Sequence, residues 1–393
     1  MSVAGVAEWL GTGLQSRLHG FESRHSLATR YGKACVAAAT YLTFAPMDNP
    51  PVRSVNTTVR DAMTRRLQRR AVVDGKITLP AVPGMIDQYM SLCETLFATL
   101  GRPFNAEQLA HLKSVLEGQL AEAYANSPRS NIVISYDAPV GTTLNYHVKA
   151  EWWTVEGAYE NWISTREPPL FGTEPDARVL ALANRALDPR ASRVLDIGGG
   201  TGRNTLALAR RGHPVDVVEM TPKFADIIRA EAERESLSVR VIEGDVFSTE
   251  GDLRRDYELI LLSEVVSDFR TTQQLRAVFE LATQCLVAGG HLVFNAFLAK
   301  PGYTPDDAAR ELGQQCYTTI FTAQELSTAA EGLPLHLVSD DSVYEYEMAH
   351  LPQGAWPQTS WYADWVSGRD VFDLPREESP IEMRWLVYQK PAW

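Results

Sequence analysis

Cysteine is scarce in these 393 residues: Cys35, Cys93, Cys285 and Cys316 stand far apart and form no CxxC pair. That excludes a disulfide framework and a zinc ribbon, and it fits a reducing compartment in which all four are structural or incidental. No run approaches the roughly 18 uninterrupted apolar residues of a membrane span. Positive charge is also short. Lys and Arg number 37 against 49 Asp and Glu, giving a net charge of -12 and a pI near 5.2. The chain as a whole therefore gains no attraction to phosphate backbones or anionic membranes, and a nucleic-acid or membrane partner is disfavoured. A cytoplasmic protein without a metal site is expected.

The length suits two domains, or one large α/β domain with an appendage. Residues 1–46 combine Arg17, Arg24, Arg30 and Lys33 with the apolar run ACVAAATYLTFA. The order, basic then apolar, is that of a targeting segment. A different origin fits better: GVAEWLGTGLQSRLHGFESRHSL reads like the conceptual translation of a transfer-RNA gene, and translation is expected to begin at Met47 or Met63. No role in the fold is assigned to this leader.

Residues 47–149 read as a helical and hairpin cap. Arg65, Arg66, Arg69 and Arg70 form a basic run whose simplest reading is a solvated helix face. Met85, Tyr89, Leu92 and Leu96, then Leu109, Leu112, Leu116 and Leu120, recur at three- and four-residue spacing and predict helices near 84–100 and 105–126. Asn105 is a candidate cap for the second, with Glu107 and Gln108 in its first turn. NIVISY (131–136) and TTLNYHV (142–148), split by Pro139 and Gly141, predict a hairpin.

From about 193, short apolar strands alternate with helices, the pattern of a parallel sheet wrapped on both faces. Residues 150–393 are therefore expected to form an α/β, doubly wound, seven-stranded and mostly parallel sheet. The predicted strands are 193–197, 214–219, 238–243, 257–262, 291–297, 335–346 and 384–390. Thr221 before Pro222 marks a helix start, and Thr271 with Gln274 and Thr322 with Glu325 have capping-box spacing. The last two strands lack an obvious intervening helix, so a final reversed hairpin is expected.

The strongest chemical signal is VLDIGGGTGR, a buried strand ending near Asp196 and followed by Gly198, Gly200, Thr201 and Gly202. Glycine suits a tight turn that lets a ligand approach the backbone with no Cβ in the way. A dinucleotide fingerprint GxGxxG counted from Gly198 needs glycine or alanine where Arg203 stands, and counted from Gly200 it meets Thr205. The observed DxGxGxG resembles the first motif of class I S-adenosylmethionine-dependent methyltransferases of the small-molecule type.

That resemblance covers about 190–300 well and 300–393 in outline. It implies a Rossmann-like methyltransferase fold with S-adenosyl-L-methionine as cofactor. Glu219, 23 residues after Asp196, would accept hydrogen bonds from both ribose hydroxyls, with Met220 beside it. In GDVF, Asp245 would meet the adenine amino group and the Val246 backbone N–H the ring, while Ser263 and Glu264 would close the crevice mouth at the methionine end. CLVAGGHLVF is similar to the family's Leu-x-Pro-Gly-Gly turn, with Ala288 in place of proline.

Methyl transfer from a sulfonium is an in-line displacement, so positioning and desolvation supply much of the rate and a general base is optional. Glu264, Asp268, Tyr146 and His147 are candidate bases. After strand four, SEVVSDF lacks the Asn/Asp-Pro-Pro-aromatic motif of methyltransferases acting on DNA-base amino groups, and the chain has no Pro-Cys dipeptide for attack on a pyrimidine. A small-molecule acceptor is therefore expected. A noncatalytic protein that binds S-adenosylmethionine or S-adenosylhomocysteine in the same fold is the alternative. Two aromatic groups, Trp152, Trp153, Tyr159 and Trp162, then Trp356, Trp361, Tyr362 and Trp365, are read as glue between cap and core or as pocket walls.

The translation-start expectation is checked by the intact mass of the protein from its native source. The measured mass should correspond to a chain beginning at Met47 or Met63, and a product that retains Trp9 would remove the idea.

Overall fold

The computed structural model describes residues 55–139, 143–152, 157, 163 and 169–392. The leader and Trp153, Tyr159 and Trp162 lie outside these residues. The chain divides into two compact units, 1–152 and 153–393.

In the first unit, α1 (Val55–Arg70) carries the basic run, and its four arginines are solvated. The free carbonyls at its C-terminus are capped by a guanidinium: Arg102, only 8% exposed, donates to the carbonyl oxygens of Gln68, Arg69 and Ala71 at 3.0–3.2 Å. Strand β1 (Val73–Pro80) follows, then α2 (Ile86–Thr99), α3 (Ala106–Asn126), β2 (Asn131–Ala138) and β3 (Asn145–Glu151). Asn105 and Gln108 form a full capping box at the start of α3.

The three strands make an antiparallel sheet in the order β1-β2-β3, so the expected hairpin is present with a strand added at its edge. Sequence reading missed β1. Its burial is confined to Ile77 and Leu79 among polar neighbours, too short an alternation to stand out.

From residue 169 onward the second unit runs through α4 (Ala177–Ala183), β4 (Val194–Ile197), α5 (Arg203–Arg210), β5 (Val215–Glu219), α6 (Pro222–Glu235), β6 (Val239–Glu243) and β7 (Tyr257–Leu262). It continues with α7 (Thr272–Cys285), β8 (Leu286–Ala299), α8 (Asp307–Gln315), β9 (Ile320–Phe321), α9 (Ala323–Ala330), β10 (His336–Ser342), α10 (Val343–His350), α11 (Tyr362–Val366), α12 (Arg369–Phe372) and β11 (Ile381–Gln389). The sheet runs β10-β11-β8-β7-β4-β5-β6, with the two-residue β9 paired to β8 as an eighth strand. Strands β4 to β8 are mutually parallel, while β11 runs against both β8 and β10.

Both faces are covered. On one, Phe279 of α7 packs edge-on against Phe294 and Tyr388, with ring centroids 5.8 and 4.8 Å apart. On the other, Val179 and Leu182 of α4 and Trp365 of α11 meet Phe297 and Trp385. The capping boxes at Thr271 and Thr322 are formed. Thr221 occupies the cap position without a side-chain bond to the helix, its side chain and its N–H both donating to the Glu219 carboxylate instead.

The expected strand 335–346 requires correction: it ends at Ser342, whose hydroxyl caps α10, and the last two strands are separated by α10, α11 and α12. The alternation of VYEY imitates a strand, but Glu347 of that helix is fully buried and is used elsewhere. Its carboxylate accepts from the N–H groups of Ala177 and Arg178 at 2.8 and 3.2 Å and from Trp385 Nε1 at 2.9 Å. Glu347 thus caps α4, leaving the adjacent Asp176 free for another task. The second aromatic group serves this unit's own core: Trp365 lies 5.4 Å from Phe297 and 5.6 Å from Trp361, and Trp152 of the first unit is half exposed.

Replacing Glu347 with leucine would leave three buried donors without an acceptor. Chemical denaturation of Glu347→Leu is expected to show a loss of about 2–4 kcal/mol relative to the parent; an unchanged midpoint would refute the capping role.

Candidate functional site

The chain leaves β4 outward through β5 to β6, then returns to β7 on the other side of β4. Loops after β4 and β7 therefore diverge and leave a crevice at the carboxyl ends of these two strands, the usual ligand position in an open α/β sheet. The loop after β4 is the glycine stretch. Gly198, Gly200 and Gly202 have φ of 73°, 55° and 90°, a left-handed backbone that disfavours any side chain.

Packing explains most of these glycines. A Cβ at Gly198 would run into Val265, one at Gly199 into Val217, and one at Gly202 would lie 3.0 Å from Leu206. At Gly200 a Cβ would meet nothing nearer than the Phe171 ring at 3.6 Å. Gly200 is thus the one whose missing side chain leaves room. Half-buried Thr201 follows it, and α5 opens directly after Gly202.

Glu219 ends β5 beside this loop. It is 4% exposed, and its two oxygens accept from the backbone N–H of Gly200 at 2.8 Å and of Thr221 at 2.7 Å. Burial nevertheless pushes its pKa up, with the backbone bonds working against the rise. Each carboxylate oxygen retains acceptor capacity beyond these bonds. Met220 next to it is half exposed. Beyond β6, exposed Asp245 accepts from the Phe247 N–H at 3.1 Å in a turn, and Val246 is buried beneath it.

Asp196 is buried and accepts a 2.5 Å hydrogen bond from Thr205 Oγ1 of α5. Burial drives its pKa up to about 7, opposed by the Thr205 bond and reinforced by the carboxylates of Asp176 and Glu219. It braces the loop from below.

The other wall is an ionic cluster. Arg203, the first residue of α5, donates to Asp176 at 2.5 Å and to Glu264 at 2.8 Å, with its side chain only 7% exposed. The fully buried Asp176 also accepts from Asn204 Nδ2 at 2.8 Å, Ser263 Oγ at 2.6 Å and Gln358 Nε2 at 3.1 Å. Glu264 sits at φ 63°, rare for a side-chain-bearing residue, held by its N–H donating to Asn295 Oδ1 at 2.6 Å. Burial pushes Glu264 up to about 7 although Arg203 pulls the other way. The neighbouring carboxylates keep Arg203 protonated against its burial, and burial with the same carboxylates keeps the Tyr362 phenol protonated.

Around this cluster the buried atoms Asn295 Nδ2, Gln358 Oε1 and Thr359 Oγ1 have no hydrogen-bond partner among the described residues. Orphaned buried groups of this kind are uncommon, and a bound polar molecule or water satisfies them.

The second unit therefore brings together Asp196, Gly198, Gly200, Thr201, Gly202, Glu219, Met220, Asp245, Val246, Ser263 and Glu264 along one edge. Asp268 lies four residues past Glu264 in a short turn (Val266–Asp268). Tyr146 and His147 belong to β3 of the first unit. There the Tyr146 ring lies 5.7 Å from Phe104, and His147 is exposed.

Sequence reading missed Asp176, Asn295, Glu347 and Gln358, and noted Arg203 only as a departure from the dinucleotide pattern. Arg203 and Glu264 flanking two separate motifs were the available signal. Nothing local marks Asp176 or Gln358.

Residues 194–290 match the family model described as "Methyltransferase domain". Among curated proteins no sequence matches the chain. Similar solved structures include the [4+2]-cyclase SpnF, at 16% identity and TM-score 0.40, with 55% of this chain and 81% of that chain covered. Geranyl diphosphate C-methyltransferase from Streptomyces coelicolor A3(2) has 14% identity and TM-score 0.41, covering 55% and 80%. A putative sarcosine dimethylglycine methyltransferase from Galdieria sulphuraria has 14% identity and TM-score 0.42, covering 55% and 84%.

Because the folded pKa of Asp196, about 7, lies above the ordinary 3.8, its protonated form stabilises the fold at low pH, and that contribution is lost as pH rises from the ordinary value through 7. The amide of an Asp196→Asn variant cannot ionise. Urea unfolding from pH 4 to 8 is expected to show this variant gaining on the parent as pH rises, and a constant difference would contradict the assignment.

Proposed function

We propose that this class I S-adenosylmethionine-dependent methyltransferase acts on a small-molecule acceptor held against the Arg203 cluster at the carboxyl edge of its eight-stranded sheet. The observation that carries the reading is the pairing of Gly200 with Glu219. At the topological switch point, a glycine with open space in front of it donates its N–H to a buried carboxylate that has acceptor capacity left over. The residues fit the cofactor on the same ground, since a cradle that any Cβ would fill is kept clear.

When bound, S-adenosylmethionine supplies an electrophilic methyl group on a sulfonium. Glu219 holds the ribose hydroxyls. Asp245 and the Val246 N–H take the adenine edge, and Met220 covers it. Ser263, fixed by its bond to Asp176, lines the methionine end beside Arg203. Asp196 supports the cradle from beneath the loop through its bond to Thr205.

On the acceptor side, Glu264 is the group suited to take a proton, because a carboxylate raised to about 7 is a stronger base than an ordinary one. Asn295, Gln358 and Thr359 offer the unpaired donors and acceptors that orient a polar acceptor. The walls behind them are aromatic, with Tyr362 ringed by Trp356, Trp361 and Trp365 at 5.7, 5.9 and 6.0 Å. Closure of such a site excludes water and strengthens the electrostatics within. Acidic charge overall and the missing nucleic-acid motifs support a small acceptor.

The test combines calorimetry with a screen of metabolite extracts using labelled methyl donor. The parent should bind S-adenosylmethionine and S-adenosylhomocysteine and transfer label to a small product. Gly200→Val meets no crowding atom but is strained at φ 55°, so its far-UV circular dichroism is compared with the parent's first; the folded variant should lose at least about a hundredfold in affinity, roughly 2.7 kcal/mol. Unchanged affinity would remove the cofactor placement, and binding without any label transfer would leave a ligand-binding protein in place of an enzyme.

A further inference from the structure

A cavity of about 370 Å³ opens at the far side of α4, away from the glycine loop. Its floor is made of His291 in β8 and Gln389 in β11, which face each other in the sheet register. His291 lies four residues before Asn295, roughly 13 Å back along the strand from the crevice. Arg178 and Arg185 reach it from α4 and the turn beyond, and Ser339 comes from β10. Leu182, Val338 and Val387 supply an apolar wall.

The charge of this lining runs against that of the chain as a whole. In a chain where acidic residues exceed Lys and Arg by 49 to 37, the lining holds two arginines and no acidic residue. Arg178 is 8% exposed. One end of its guanidinium is engaged, donating to Ser339 Oγ and pairing with Asp341 at 2.8 Å, and its plane lies over the Tyr346 ring at 4.8 Å. Its Nε is buried and donates to nothing among the described residues.

Arg185 makes no ion pair among the described residues and stands exposed at the rim. Burial of the imidazole, together with the Arg185 charge, holds His291 below its ordinary pKa, so that ring is neutral and available as a hydrogen-bonding partner. A buried unsatisfied guanidinium N–H is costly, and an oxyanion is the ligand that answers a guanidinium best. The cavity volume lies in the range of small-molecule sites.

We propose that this cavity is a second ligand site, one that takes a small organic oxyanion, a carboxylate or a phosphate monoester. The charged end lies between Arg178 and Arg185, and the apolar end lies against Leu182, Val338 and Val387. The site is separate from the cofactor crevice and does not depend on the methyl-transfer reading. It shares α4 with that crevice: Asp176 at the head of this helix holds Arg203, and Arg178 two residues later faces the cavity.

The experiment titrates the full chain with benzoate and with phenyl phosphate, in separate arms, by calorimetry in the presence of saturating S-adenosylhomocysteine and again without it. Saturable binding of at least one probe is expected in both conditions. The tighter arm identifies carboxylate or phosphate as the preferred head group. Arg185→Gln should weaken that binding by at least about tenfold, roughly 1.4 kcal/mol, with an unchanged thermal midpoint because the exposed side chain makes no ion pair among the described residues. His291→Leu provides a second variant from the opposite wall and should weaken it as well. Failure of both probes to bind, binding unaltered in both variants, or binding abolished by S-adenosylhomocysteine would each overturn the proposal.

Discussion

The site depends on the burial of one guanidinium. Arg203 stands at the first position of the helix that follows the glycine loop, with Asp176 and Glu264 on either side. Removing three charges from water costs several kcal/mol each, and the cost is recovered only where geometry is close and every remaining lone pair is used. Asp176 meets that condition with donors from Asn204, Ser263 and Gln358. Four separate pieces of chain are thereby held to one another: the segment ahead of α4, the loops after β4 and β7, and the stretch between α10 and α11. The crevice walls act as one ionic unit, and two carboxylates against one guanidinium leave the unit electronegative.

Elements whose cause is local were legible in the sequence. The parallel strands announce themselves because both faces are buried, so Tyr257–Leu262 reads as a nearly continuous apolar run and Val215–Val218 as one interrupted only at Asp216. The glycine loop is legible because positive φ and close packing admit few other residues at Gly198 and Gly202. The capping boxes at Asn105, Thr271 and Thr322 follow from residues three apart. The match of 194–290 to a methyltransferase domain falls on this locally determined stretch.

What was not legible has its cause at a distance. Asp176 looks like an ordinary helix cap until its partners, 27, 87 and 182 residues away, are known. Strand β1 is an edge strand with two buried side chains, and its pairing with β2 supplies what its composition does not. Residues 343–346 alternate as a strand would, yet helix α10 wins because Ser342 caps it and because Glu347 reaches buried donors only from a helix. Tyr146 and His147 suit base chemistry by residue type alone, and they fall in the hairpin that the sequence itself assigns to the cap.

The Glu347 clamp has a consequence for how the protein comes into being. The start of α4, which presents Asp176 to the crevice, is satisfied by a carboxylate 170 residues later, and that carboxylate is in turn held by Trp385 near the chain's end. A nascent chain with its glycine loop already synthesised still lacks the acceptor for the Ala177 and Arg178 amides. Competence to hold ligand thus waits until α10 and β11 have been made, and a product cut ahead of α10 loses an interior acceptor instead of a dispensable segment.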